Sequence, residues 1–374
     1  MTEADAPIEP ARSTRLASLD ALRGFDMFCI VGLEALVEGL RRAGVESPVF
    51  QKFADQLGHV EWAGFHFEDL IFPMFVYIVG VSLVFSTSKA IERDGRGAAT
   101  AKILRRGLLL YALGIFYYGG FATPFAQIRL LGVLQRIAIC YACSALIFVY
   151  FRPRGVLAWC VGLLVGYWLL MAFVPVPGGT AGDFAEGRNL ANWVDKTFLP
   201  LKKWDGDHDP EGLLSTLPAI ANCLIGVFAG LLLRDTGRRE WQKALILAGA
   251  GLAMLALGWA WAIPFPVIKK LWTSSFVLVA CGYASLLLAL FHLVIEVVGW
   301  RRWALPFLWI GANPIAIYLL GNLVDIEPIA LRFVGGDVNR LFGAYGTLAV
   351  AVVGVAIVLA VARFLSVRKI FLRV

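Results

Sequence analysis

Between Gly58 and Gly80 the chain reads GHVEWAGFHFEDLIFPMFVYIVG. Within eleven of its positions lie His59, Glu61, Trp62, His66, Glu68 and Asp69, directly before a run apolar enough to enter a membrane. So many titratable groups beside hydrocarbon are costly unless they face a cavity or one another. Imidazole gains or loses a proton near neutral pH, and a flat indole suits the face of a sugar ring. His59 is the leading candidate, with Trp62 and Phe65 as stacking neighbours and glycines bounding the segment. His66 is weaker. His208 reads as a solvated loop residue, and His292 lies near the end of an apolar run.

Other polar residues interrupt apolar runs. Asp20, Arg23 and Asp26 are three apart, so they share a helix face and are expected to pair as Asp–Arg–Asp. Such a network fixes a helix end, and Arg23 is equally suited to an anionic ligand. Glu34 has no basic residue within a turn of it. It either faces an aqueous vestibule or pairs across to another helix, and His59, at the same membrane face, is the expected partner. Gln135 and Arg136 lie about a third of the way along their run, where an arginine needs a counter-charge (Asp26 or Asp69), or a ligand phosphate or carbonyl. Pro73 and the Asn313–Pro314 pair break helices in the manner of spans that line cavities. Asp209 and Glu211 precede a run as an N-terminal cap.

These residues must be positioned by a membrane protein. Of 374 residues, 59% are hydrophobic and 16% charged, against about 25% charged in a soluble domain. The expected fold is all-α, a polytopic bundle of about ten transmembrane helices. The spans fall near 19–40, 68–88, 107–124, 130–151, 156–175, 214–233, 244–263, 272–298, 305–323 and 343–363. Alternate connections are basic, among them 89–106, 234–243 and the stretch with Arg301 and Arg302. The positive-inside rule puts these and both termini in the cytoplasm, and His59 outside. That distribution also accounts for the net charge of +7 without nucleic acid. Residues 1–15 read as a disordered cytoplasmic tail, and 16–374 as a single transmembrane domain. All six cysteines sit in apolar runs, so Cys140 and Cys143 read as small buried hydrophobes despite their CxxC spacing. No phosphate loop, HExxH, GxSxG or metal-ligand cluster is apparent, and no metal is expected.

Six blocks occur in order: LASLDALRGFDMF, HVEWAGFHFEDLIFPMFVYIVGVSL, GVLQRIAICY, DPEGLLSTLPAIANCLIGVFAG, KKLWTSSFVL and IGANPIAIYL. Together they resemble the heparan-α-glucosaminide N-acetyltransferase family of transmembrane acyltransferases, in its bacterial form. The resemblance implies transfer of acetyl from cytoplasmic acetyl-CoA to the amine of a terminal glucosamine-type sugar across the membrane. It places the active histidine at His59, either as the base or as a transient acetyl carrier. Where lysosomal members carry an asparagine late in the first span this chain has Glu34, which would orient the imidazole. Trp62, Asp69 and Asn313 would meet the acceptor. Arg23, Arg105 and Arg106 would hold the CoA phosphates, and Gln135 and Arg136 would line the pantetheine passage. The expected location is a bacterial inner membrane, with membrane lipids around the protein and an apolar surface compatible with a monomer or a homodimer. The rival readings are an O-acyltransferase of a cell-envelope glycan and a secondary transporter of a small anionic or sugar solute.

Overall fold

A computed structural model describes residues 16–372; the tail expected at 1–15 lies outside the described residues. The described residues are helical, with two isolated β-bridges and no strand. The first helix, α1 (Ala17–Phe28), runs through a π-helical turn (Cys29–Leu33) into α2 (Glu34–Arg42). A short α3 (Pro48–Asp55) leads to α4 (Phe67–Tyr117), followed by α5 (Val133–Tyr150) and α6 (Pro153–Phe173). Then come α7 (Leu190–Phe198), α8 (Thr216–Arg234), α9 (Glu240–Trp261) and α10 (Ser274–His292). The chain closes with α11 (Leu305–Gly311), α12 (Pro314–Leu323), α13 (Ile326–Val334), α14 (Gly336–Leu341) and α15 (Gly346–Val367).

Straight, the 51 residues of α4 would reach about 77 Å at 1.5 Å per residue, more than twice a hydrocarbon core. Gly95, at φ 78° and ψ 170°, divides α4 into two helices. Each expected span lies on helix over most of its length. Among the described residues, seven helices are long and apolar enough to cross a membrane, or eight with α11 and α12 as one span bent by 69°. In this count α4 is one helix, and α1 and α2 are separate pieces either side of the π-helical turn.

The most buried spans are α4 and α8, and α15 is the least. In lipid, helices gain by close van der Waals approach, which small residues permit. A methyl on Gly80 of α4 would lie 2.0 Å from the Cys223 carbonyl oxygen of α8, and one on Gly226 would lie 2.1 Å from that of Tyr77. Likewise, α1 meets α11 where a methyl on Gly24 would lie 1.8 Å from the Phe307 carbonyl oxygen.

Contacts sort the connections into two ends of the bundle. At one end, Ser18 N–H donates to Glu296 (3.0 Å), Glu92 pairs with Arg234, and Thr100 meets Tyr150 (2.9 Å). At the other, Gly64 N–H donates to Val267 O (2.9 Å) and Lys202 N–H to Ile128 O (3.3 Å). The connections 43–66, 118–132, 174–215 and 262–273 thus form one cap over the helix ends. His59 lies in that cap.

Candidate active site

Asp69 is the third residue of α4, and its carboxylate closes the helix start: Oδ2 accepts from the backbone N–H of His66 at 3.0 Å and of Val60 at 3.4 Å. An acidic group there complements the free N–H groups and the positive end of the helix. The other oxygen, Oδ1, lies 3.0 Å from His59 Nδ1, while Asp69 itself is 1% exposed. The ring of His59 is 59% exposed. A fixed, buried carboxylate therefore holds an accessible imidazole by one nitrogen and leaves the other open.

Lys269, in the 262–273 connection, completes the cluster. Its Nζ is 3.0 Å from His59 Nδ1, 3.4 Å from Nε2 and 3.3 Å from Asp69 Oδ1. The bridge between Ala63 and Ile268 ties its strand of loop to the segment after His59. Burial pulls the Lys269 ammonium below its usual range, and Asp69 only partly offsets this.

With Asp69 buried behind them, His59 and Lys269 open on a cavity of about 450 Å³. Its outer part is lined by Trp62, Glu68, Arg129, Trp204, Lys269 and Lys270, and its inner walls by Met27, Phe72, Phe75, Ile137, Trp272 and Ile315. One end is therefore polar and aromatic, and the depth is apolar, the usual division of a small-molecule site. Trp272 forms its wall from a strained backbone, φ 51°, which costs of order 1–3 kcal/mol and marks a constrained position. The indole is fully buried between Phe72 (5.0 Å) and the Arg136 guanidinium (4.9 Å).

Arg129 props the opposite wall. Its guanidinium forks onto Asp209 (Nε–Oδ2 2.8 Å, Nη2–Oδ1 2.6 Å) and meets Glu211. The rings of Tyr118 and Trp204 each lie 4.9 Å from it. Burial pulls Arg129 down, but the two carboxylates outweigh that and hold it raised. Burial raises Glu211, against the two arginines. The same burial pushes the Tyr118 hydroxyl up to about 12.

Several sequence expectations change here. His59 pairs with Asp69 and Lys269, not with Glu34, which is exposed on α2 and shares no hydrogen bond or ion pair with the imidazole. The π-helical turn before Glu34 resets its facing. Arg23 does bind Asp20 (2.9 Å), and it also donates to Ser82 (2.6 Å) and Gly311 O (3.4 Å); Asp26 is fully buried and its carboxylate makes no hydrogen bond with it. Arg136 meets neither Asp26 nor Asp69: it donates to Ser215 Oγ and to Gly212 O at 3.3 Å. Gln135 donates to Arg129 O (3.2 Å), so both residues sit behind the cavity wall. Asn313 is committed to backbone, donating to Ile370 O (2.8 Å) and accepting from Leu372 N–H (3.1 Å). Trp62 lines the cavity with its Nε1–H given to Phe184 O (3.0 Å), whereas Phe65 stacks on the exposed ring of Tyr283 in α10 (5.4 Å). Asp209 and Glu211 hold Arg129 and do not cap α8, which starts after Ser215.

Arg105 is exposed, and Arg106 covers the ring of Tyr141 (4.7 Å). Arg23, Arg105 and Arg106 line no part of the cavity. His208 is buried, not solvated. It gathers with Glu186 and Asp205, a donor set of the kind that holds cations. Lys270 Nζ fills that role, 2.9 Å from Glu186 and 3.0 Å from Asp205. Sequence reasoning missed Lys269, Arg129 and Trp204. The signals available were an arginine in the otherwise uncharged FATPFAQIRLLG connection and the lysine pair opening KKLWTSSFVL.

A family model described as "Heparan-alpha-glucosaminide N-acetyltransferase, catalytic" matches residues 15–258, more than half of the chain. The chain belongs to this family. The heparan-alpha-glucosaminide N-acetyltransferase of Homo sapiens is 28% identical, over 70% of this chain and 48% of that protein. That of Mus musculus is 27% identical with the same coverage. The chain spans about half the length of the curated relatives it matches. The heparan-alpha-glucosaminide N-acetyltransferase match includes His59, Asp69, Arg129 and the Asp209–Glu211 pair; Lys269 lies beyond its last residue.

Proposed function

We propose that this chain is a transmembrane N-acetyltransferase that moves acetyl from acetyl-CoA to the amine of a terminal glucosamine-type sugar. The observation that carries the reading is the His59–Asp69 pair at the mouth of a cavity in a member of this family. Acylating an amine with a thioester requires a base for the ammonium proton, and a positioned imidazole supplies one. Nε2 is the nitrogen that acts as that base, since Asp69 holds Nδ1. Direct transfer needs only this one histidine near both substrates. Glu68, a carboxylate in the wall within electrostatic reach of His59 and Lys269, suits an incoming ammonium.

Ten crossings with both termini cytoplasmic, in the inner membrane of a bacterium, agree with the basic residues gathered at the end opposite His59. The acceptor then approaches the His59 end from outside, and acetyl-CoA enters from the cytoplasm with its acyl arm along the apolar depth of the cavity.

The test is purified protein in detergent with acetyl-CoA and glucosamine, with the product identified by mass spectrometry. N-acetylated sugar from the wild type and none from folded His59→Ala is expected. Turnover by His59→Ala at the wild-type rate would remove His59 from the reaction. An O-acetylated product would reassign the acceptor, and solute flux in vesicles without acetyl turnover would favour transport.

A further inference from the structure

The region around His59 contains two bases and one buried carboxylate. Asp69 Oδ1 is within 3.0 Å of His59 Nδ1 and 3.3 Å of Lys269 Nζ, and the two nitrogens are 3.0 Å apart. Nδ1 cannot donate to Asp69 and accept from Lys269 at once. Two cations 3.0 Å apart over a single carboxylate leave an uncompensated charge at a partly buried site, which is costly. Other charges face the cluster: Glu68 of α4, Glu211 from the 199–215 loop and Glu34, which reaches Glu68 from α2, are acidic, while the cations Arg129 and Lys270 line the same cavity.

We infer that Lys269 and His59 share a single proton above Asp69, so that Lys269 is a positioning residue that keeps the imidazole free to act as a base and then takes its proton onward. This rests on the acyltransfer reading above. In one state Lys269 is an ammonium that donates to Nδ1, and Nε2 carries the ring proton. Loss of the Nε2 proton to water, with the Lys269 proton moving onto Nδ1, gives the other: Lys269 is a neutral amine, and Nδ1–H donates to Asp69 while Nε2 is open. The second state is the reactive one. An acceptor ammonium gives a proton to Nε2, and the Nδ1 proton passes to Lys269 Nζ. The sugar nitrogen attacks the thioester carbonyl; the C–N bond forms and the C–S bond breaks. The nitrogen's second proton leaves with the thiolate, giving free thiol. The cluster is now in its first state again; Nε2 then releases its proton to water at the mouth as the Lys269 proton moves back to Nδ1, so one proton leaves per acetyl transferred. Burial of Lys269, which disfavours its charged form, suits this exchange.

The test uses full-length protein labelled with ¹⁵N-histidine, with His59→Gln assigning the signal, titrated in detergent alongside a pH–rate profile. In Lys269→Met the competing cation is gone and Asp69 remains. The His59 ring should then bind its second proton at a pH higher by about one unit or more, and the acidic limb of the rate profile should move up with it. A ring titration in folded Lys269→Met that overlays the wild type overturns proton sharing. Lys269→Arg keeps the charge but cannot release a proton, so turnover should fall at every pH; wild-type turnover in that variant overturns the onward transfer. The ring titration needs no turnover, so it decides proton sharing even if the wild type acetylates nothing.

Discussion

Asp69 binds His59 Nδ1 through one carboxylate oxygen (3.0 Å) and the backbone N–H groups of His66 and Val60 through the other. One side chain thus starts helix α4 and orients the imidazole. The coupling fixes the ring relative to a membrane helix, which is more rigid than the surface loop that carries it.

Replacing Asp69 by Asn should separate these tasks. The amide still accepts from the two backbone N–H groups, so α4 should begin normally and the melting temperature should fall only modestly. The imidazole loses its charged partner, and turnover should drop at least about tenfold. Glu34→Gln should retain most activity, because Glu34 makes no contact with His59. The two variants assayed side by side decide between the carboxylates: a larger loss for Glu34→Gln would restore Glu34 as the partner.

This contrast also shows what the sequence could reveal. Hydropathy and charge periodicity made the all-helical membrane fold legible, since every span must satisfy its own backbone in lipid. The candidate histidine was legible because its neighbours were chemically out of place. Its partners were harder. Asp69, ten residues away, reads as an acceptor contact and not as the partner of the histidine, and Lys269 is 210 residues distant. Their meeting depends on how four connections fold together over the bundle, which no local periodicity encodes. Glu34 failed for a local reason: a single π-helical turn between Cys29 and Leu33 shifts the facing of everything after it. The DPEG block read as a cap because acids before a helix usually are, but its partner Arg129 sits 80 residues earlier.

Arg129→Met tests whether that buried cluster shapes the cavity. Two carboxylates, Asp209 and Glu211, would lose their cation inside the cap, and breaking a buried pair from one side costs about 3–5 kcal/mol. A fall in melting temperature of several degrees in detergent is expected, with weaker acceptor binding as Trp204 loses the guanidinium packed on it. Adding Asp209→Asn should recover part of the stability, because one stranded charge is removed. A double variant less stable than the single one would refute the pairing.

Gly80→Ala tests the packing that carries the site. The added methyl would lie 2.0 Å from a backbone oxygen of α8, and backbone cannot rotate away as a side chain does. The helices must separate, costing about 1–3 kcal/mol or more. Because α4 also carries Asp69, turnover should fall along with the melting temperature. Gly162→Ala, where a methyl meets nothing within 4 Å, should leave both unchanged.

The pH dependence of stability should carry the mark of Asp195. Its carboxylate is buried beneath the 209–213 turn, accepting from Leu213 N–H at 2.8 Å and Asp209 N–H at 3.4 Å. Burial pushes it up to about 6, against the lowering effect of those two donors. The unfolded chain would lose this proton near pH 3.9. Between about pH 4 and 6 the folded state therefore holds the extra proton, so stability falls as pH rises through that window, by about 3 kcal/mol if the shift is fully expressed. Above pH 6 both states are ionised, and this contribution stays lost. Asp195→Asn keeps an acceptor for Leu213 but has nothing to titrate. Thermal melts at pH 5 and 7 should therefore show a drop for the wild type and a much smaller one for Asp195→Asn, and equal drops in the two proteins would assign the pH dependence to another group.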